Sequence, residues 1–96
     1  MKRTTPASFG SSVAGALKAL GLTKKLRQYE VLERWPAIVG ERIAAATEAV
    51  RIDDGKLTVH VTRATWRNEL TFLKQDLLRK INEVMGEEIV TDIIFR

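Results

Sequence analysis

The sequence predicts an α+β domain: a small three-stranded sheet with helices on one face, in the order α-α-β-β-α-β. Three observations lead there. Leu57, Val59 and Val61 alternate with Thr58, His60 and Thr62, the period-two pattern of a strand with one buried face. Trp66, Leu70, Leu73, Leu77, Ile81 and Val84 recur at steps of three and four, which lines up one face of an α-helix. That helix separates two strand-like segments. A connection of this length suits a crossover between parallel neighbours, with the helices packed on one side of the sheet.

The elements follow in chain order. Residues 1–10 carry Pro6, Ser8 and Gly10 and no periodicity, and are expected to form a tail ahead of a single domain over 11–96. Ser11 or Ser12 is positioned to cap a short helix reaching Leu20, with Val13, Ala16, Leu17 and Leu20 on one side and Gly21 as its stop. A second helix is expected after Thr23, with Leu26, Tyr29, Leu32 or Glu33, and Trp35 as its stripe. Pro36 lacks an amide donor and is expected to kink or restart it. Ile38, Val39, Ile43 and Ala44 continue the apolar face, and Gly40 is expected to permit a close approach by Trp35 or another backbone segment. Ala49 to Ile52 reads as the first strand, Asp53-Asp54-Gly55-Lys56 as a hairpin turn, and Lys56 to Thr62 as the second strand. Gly86 closes the third helix, and the β-branched run from Ile89 to Phe95 supplies the last strand. Trp35 and Trp66, large and rare, are expected as buried anchors.

Ninety-six residues make one domain with one modest core. Cysteine is absent, and the stretch from Val13 to Leu22 is interrupted by Gly15, Lys18 and Gly21, so it is too short and broken for a membrane span or export signal. A cytoplasmic protein is expected. The net charge of +4 is unevenly spread: residues 1–34 hold seven basic and two acidic side chains, the remainder nine and ten. A basic first third suits a polyanionic partner. Lys24, Lys25 and Arg27 cluster at the start of the second helix, Lys18 lies just before it, and Lys2 and Arg3 ride the tail; all six are candidate phosphate contacts. Phe72 lies off the stripe of the third helix and is a candidate partner-facing ring, as is Tyr29.

Catalytic chemistry is not assembled. His60, the one histidine, falls on the non-core side of its strand; Asp53 and Asp54 are explained by their turn, and Glu87-Glu88 by a solvated loop. No phosphate-binding glycine loop occurs. The sequence therefore predicts a binding protein, without enzymatic activity, metal or cofactor.

Taken together, Trp35-x-x-Ile38-Val39-Gly40, Gly55-x-Leu57-x-Val59-x-Val61, Trp66-x-x-Glu69-Leu70 and the closing Ile93-x-Phe95 resemble the DciA family of bacterial proteins, over about residues 12–96. The resemblance implies a KH-like fold, DNA binding, and a part in loading or operating the DnaB-type replicative helicase. Longer members carry an extension that contributes to helicase engagement, and this chain, ending at Arg96, resembles a short form. KH domains clamp nucleic acid with a Gly-x-x-Gly loop. None is present, so contact is expected through the basic helix face. Two alternatives stay open: a KH-like module that binds RNA, and a protein-interaction domain with no nucleic-acid role.

Overall fold

The computed structural model describes residues 15, 16 and 19–96. The expected tail with Lys2 and Arg3, Lys18, and most of the helix expected before Gly21 lie outside the described residues. The described elements are α1 (Thr23–Val39), α2 (Glu41–Ala46), β1 (Thr47–Asp53), β2 (Lys56–Val61), α3 (Ala64–Met85) and β3 (Asp92–Phe95).

The sheet has the order β1-β2-β3. Strands β1 and β2 pair antiparallel, from Thr47 opposite Val61 to Asp53 opposite Lys56, with a bulge between Ala49 and Arg51. Strand β3 pairs parallel to β2, with Leu57 opposite Ile93 and Val59 opposite Phe95. The class, the small mixed sheet and the parallel last strand are as the sequence predicts. Asp54 and Gly55 form the two-residue hairpin loop with φ of 52° and 79°, the left-handed pair that matches strand twist. Gly55 has a second constraint: a Cβ there would sit 2.8 Å from the Thr91 hydroxyl. Its carbonyl also accepts the Thr91 amide at 2.8 Å, tying the turn to the approach to β3.

Leu57, Val59, Val61, Ile52 and Ile93 point from one face of the sheet into the core. Val31, Trp35, Ile38 and Val39 of α1 and Leu70, Leu77, Ile81 and Met85 of α3 complete it. Each fully buried aliphatic side chain contributes about 1.5–3 kcal/mol. Lys56 and His60 lie exposed on the opposite face, and Thr58 there is shielded beside Arg51 and Ile94. Trp35 is an anchor as expected, 2% exposed. Its indole N–H donates to Thr47 Oγ1 at 2.9 Å, and that hydroxyl donates to the Ile43 carbonyl at 2.6 Å, so the ring is buried with its polar atom satisfied.

Several boundaries differ from expectation. Helix α1 runs through Pro36 and ends at Gly40, whose amide bonds the Pro36 carbonyl. Pro36 removes the amide that would bond the Leu32 carbonyl, but it lies in the last turn, so little helix follows it. Gly40 has open space about its Cα; a φ of 91° between two helices, not a close approach, is what requires glycine. In α3 the buried stripe ends at Met85, whereas Val84 is 47% exposed. Four residues beyond Ile81 fall about 40° around the helix from it and three fall about 60° to the other side, which favours Met85 over Val84. Strand β1 is longer than expected, because the bulge at Val50 interrupts its alternation. Strand β3 is shorter. Ile89 and Val90 are buried but outside the strand; the Asn82 side chain satisfies their backbone, its Oδ1 accepting both amides at 3.0 and 3.1 Å and its Nδ2 donating to the Val90 carbonyl at 2.9 Å.

Asn82→Ala strands the Val90 amide and carbonyl and leaves the Ile89 amide with only the Glu87 carbonyl at 3.0 Å, and is expected to lower stability by about 2 kcal/mol in denaturant melts. Asn82→Asp keeps the acceptor and is expected to lose less. Asp92, at the head of β3, is bridged by Lys74 of α3 at 3.1 Å. The Lys74 hydrogen bond chiefly holds its carboxyl below the ordinary value of 3.8, with help from the Ile93 amide and the charges of Lys74 and Lys56, against a raising effect of burial. The bridge therefore stabilises fully above that ordinary value, and its contribution fades as pH falls through the lower folded-state value. Because the carboxylate is 45% exposed, the loss stays below about 1 kcal/mol. Acid titration of unfolding should show Asp92→Asn converging with the parent protein at low pH and less stable near neutrality.

Candidate functional site

Helix α1 begins without a side-chain cap and without an acidic residue in its first turn. Lys24 and Lys25 occupy that turn, both exposed and without an ion pair among the described residues. Two cations at the positive end of a helix dipole are poorly placed for α1 itself; an external anion relieves both. Arg27 behaves differently. Its Nη1 donates to Glu30 at 2.7 Å, its Nε to Glu87 at 3.1 Å, and its Nη2 to the Met85 carbonyl. The guanidinium thus fastens α1 to the C-terminal end of α3, and two carboxylates balance its charge. Glu30 also receives Arg34 at 3.1 Å. Of the three clustered cations, two remain free and the third is a brace.

Leu22 at the N-cap, and Leu26 and Tyr29 on α1, follow at steps of four and three and are 40%, 48% and 60% exposed. Tyr29 and Lys25 line a groove with Gln28, Leu32 and the hairpin residues Arg51 to Asp54, where Arg51 is paired to Asp53 at 2.8 Å. Phe72 is 86% exposed on α3. It borders a recess with Thr65, Asn68, Glu69 and Leu73, which shares no residue with the Tyr29 groove. The two candidate partner-facing rings therefore stand at the surface on different elements and are not brought together.

A second cationic surface escaped sequence reasoning. Trp66, expected as a buried anchor, is half-buried: it packs against the core and also lines the surface. Arg42 of α2 stands over its ring at 5.8 Å from the centroid, within cation–π range. Arg42, Thr65, Trp66 and Glu69 enclose an open recess of about 280 Å³, and Arg42, Arg63 and Trp66 line the adjoining one. Arg42, Arg63 and Arg67 make no ion pair among the described residues. The one available signal was the pair of arginines three residues before and one after Trp66; Arg42 reaches the ring only through the turn at Gly40. Among the described residues, no group of three or more His, Cys, Asp or Glu side chains is arranged to hold a metal ion, and no helix is long and apolar enough to cross a membrane.

The family described as Dna[CI] antecedent, DciA, matches residues 8–95. A UPF0232 protein of Rhodococcus jostii is 32% identical over 88 residues, covering 92% of this chain and 47% of the relative. A UPF0232 protein of Mycolicibacterium smegmatis is 30% identical over 88 residues, covering 92% and 45%. Another from the same species, described as lying in the recF-gyrB intergenic region, is 28% identical with the same coverage. The chain spans about half the length of the curated relatives it matches. With the family's pattern matched from residue 8 to residue 95, across both tryptophans and all three strands, the chain belongs to the DciA family.

Proposed function

We propose that this chain is an accessory protein of bacterial DNA replication that binds DNA and a DnaB-type replicative helicase and favours placement of the helicase ring on DNA. It works in the cytoplasm by tethering and conformational bias, without bond chemistry, metal or cofactor. Family membership over residues 8–95 carries this reading. The geometry supports it in two places. Lys24 and Lys25 are free cations at an uncapped helix start, suited to phosphate. Tyr29 and Phe72 are exposed rings of the kind that anchor protein partners. Lys2, Arg3 and Lys18 are assigned to the same phosphate-binding set from their place in the basic first third of the sequence. Arg27 contributes by holding α1 in place.

DNA affinity measured by fluorescence anisotropy should fall steeply with salt, as counterion release requires. Exchanging both Lys24 and Lys25 for glutamate should weaken binding several-fold and flatten the salt slope by about one for each lysine lost. Unchanged affinity would remove this helix start from the site. Helicase capture on an immobilised chain should drop on Phe72→Ser, and to a lesser degree on Tyr29→Ser, with melting temperatures shifted little because both side chains face solvent. Equal capture by parent and variants would remove those rings from the interface.

A further inference from the structure

The surface around Trp66 carries a second, independent set of observations. It has a partly exposed aromatic ring, a guanidinium lying over that ring, a second arginine, Arg63, lining the adjoining recess, and the carboxylate of Glu69. We propose that the recess between Arg42, Trp66 and Glu69 takes one unstacked base of a single-stranded nucleic acid, while Arg42 and Arg63 hold the flanking phosphates. This rests on the reading of the chain as a nucleic-acid-binding protein and adds where and how a base is held.

The chemistry of each group fixes its part. Sequence-tolerant single-strand sites combine a cationic track with rings on which bases stack, because every base offers a π-face. Trp66 supplies the ring, and its inner portion is fixed by packing against the core, so little side-chain freedom is lost on binding. Arg42 already lies over that ring, and its planar guanidinium is able to move onto a phosphate or stay as the next layer of the stack. Glu69 excludes phosphate from the recess itself and leaves the rim to the arginines. Its carboxylate is only an acceptor, so it favours a base with an exocyclic amine, such as cytosine, over thymine or uracil. A duplex cannot present such a base without flipping it out of the stack. Glu41 at the start of α2 borders a neighbouring recess that Arg63 does not line, so the phosphates are expected on the Arg63 recess and not on this one.

The test uses the full chain, short homopolymers of deoxycytidine and thymidine, a cytidine ribo-homopolymer and a duplex control. Trp35 is sealed in the core, so a quench of tryptophan emission by an added strand reports on Trp66. Deoxycytidine polymer is expected to quench, duplex is not, and Trp66→Phe is expected to abolish the quench. Arg42→Ala and Arg63→Ala, both at exposed positions, should each weaken single-strand binding roughly fivefold or more by anisotropy while thermal melts stay near the parent's. Glu69→Gln should erase the preference for cytosine over thymine. Quenching by either cytidine polymer upholds the site, and the tighter of the two identifies the natural polymer. Strand binding that is lost on exchange of Lys24 and Lys25 but shows neither quenching nor sensitivity to Arg42→Ala overturns this inference and leaves the nucleic-acid reading standing. Absence of strand binding at low salt overturns both. Loss of helicase capture in Arg42→Ala and Arg63→Ala with strand affinity unchanged assigns the face to a protein and overturns the proposal.

Discussion

Parallel pairing of β2 with β3 is the constraint on which the rest of the structure depends. Parallel neighbours cannot be joined by a turn, so the chain must leave β2, cross one face of the sheet and return. Helix α3 makes that journey, 22 residues long against strands of six and four. At about 1.5 Å per residue it overshoots both strands, and the chain has only Gly86 to Thr91 in which to come back. Gly86 closes the helix with its amide on the Asn82 and Glu83 carbonyls. Asn82 then holds the descending backbone where no strand partner reaches it. Ile89 and Val90 can be buried there because one amide side chain supplies the bonds a sheet would otherwise provide. Once α3 is fixed, α1 has one place left on the same face, and Arg27 locks it there against the end of α3.

This dependence explains what was legible in the sequence. Alternation in β2 and the stripe of α3 are local patterns, written by which face must be dry, and both appear at their expected places. The Asp54-Gly55 loop is legible for the same reason, since two consecutive left-handed residues leave little choice of side chain. The stop of α3 at Gly86 was legible too, but the start of β3 was not, because β-branched composition from Ile89 onward signals burial and cannot tell strand pairing from capture by a distant asparagine. Arg27 illustrates the limit for charge. Its neighbour Glu30 is visible at a spacing of three, but Glu87 and the Met85 carbonyl, some sixty positions away, decide that the guanidinium faces inward. Phe72 lay off a clear stripe and was readable as exposed; Trp66 lay on the same stripe, and its half-open position depends on α2, whose turn away from α1 begins at Gly40.

Charge on this molecule therefore has to be judged after pairing. Arg27, Arg34, Arg51, Lys74 and Arg79 face carboxylates within 3.1 Å and add little to the field seen by a partner. Among the described residues Lys24, Lys25, Arg42, Lys56, Arg63, Arg67, Lys80 and Arg96 make no ion pair, and two sets of them cluster: Lys24 and Lys25 at the start of α1, and Arg42 and Arg63 beside Trp66. The two sets differ in kind. Lysines on mobile stems suit phosphates of any conformation, whereas arginines beside an indole suit a fixed, planar arrangement. Arg42 stands over the Trp66 ring and makes no ion pair with Glu69, although both line the same recess.

Helix α1 sets the distance between these two places. It carries the lysine pair in its first turn, and its last turn delivers the chain through Gly40 to Arg42. Seventeen residues at about 1.5 Å each separate them by roughly 25 Å, several times the Debye length of about 8 Å at physiological ionic strength. Neither set therefore strengthens the other's hold on a small anion. A polymer reaching both gains from each in turn, because the second contact is made at the effective concentration set by the first. Under the proposed function this favours an extended strand over a free nucleotide. It also makes the brace at Arg27 matter for binding without any contact to the ligand: if α1 swings away from α3, the spacing between the two cationic places changes and the combined hold is lost, though each place stays intact.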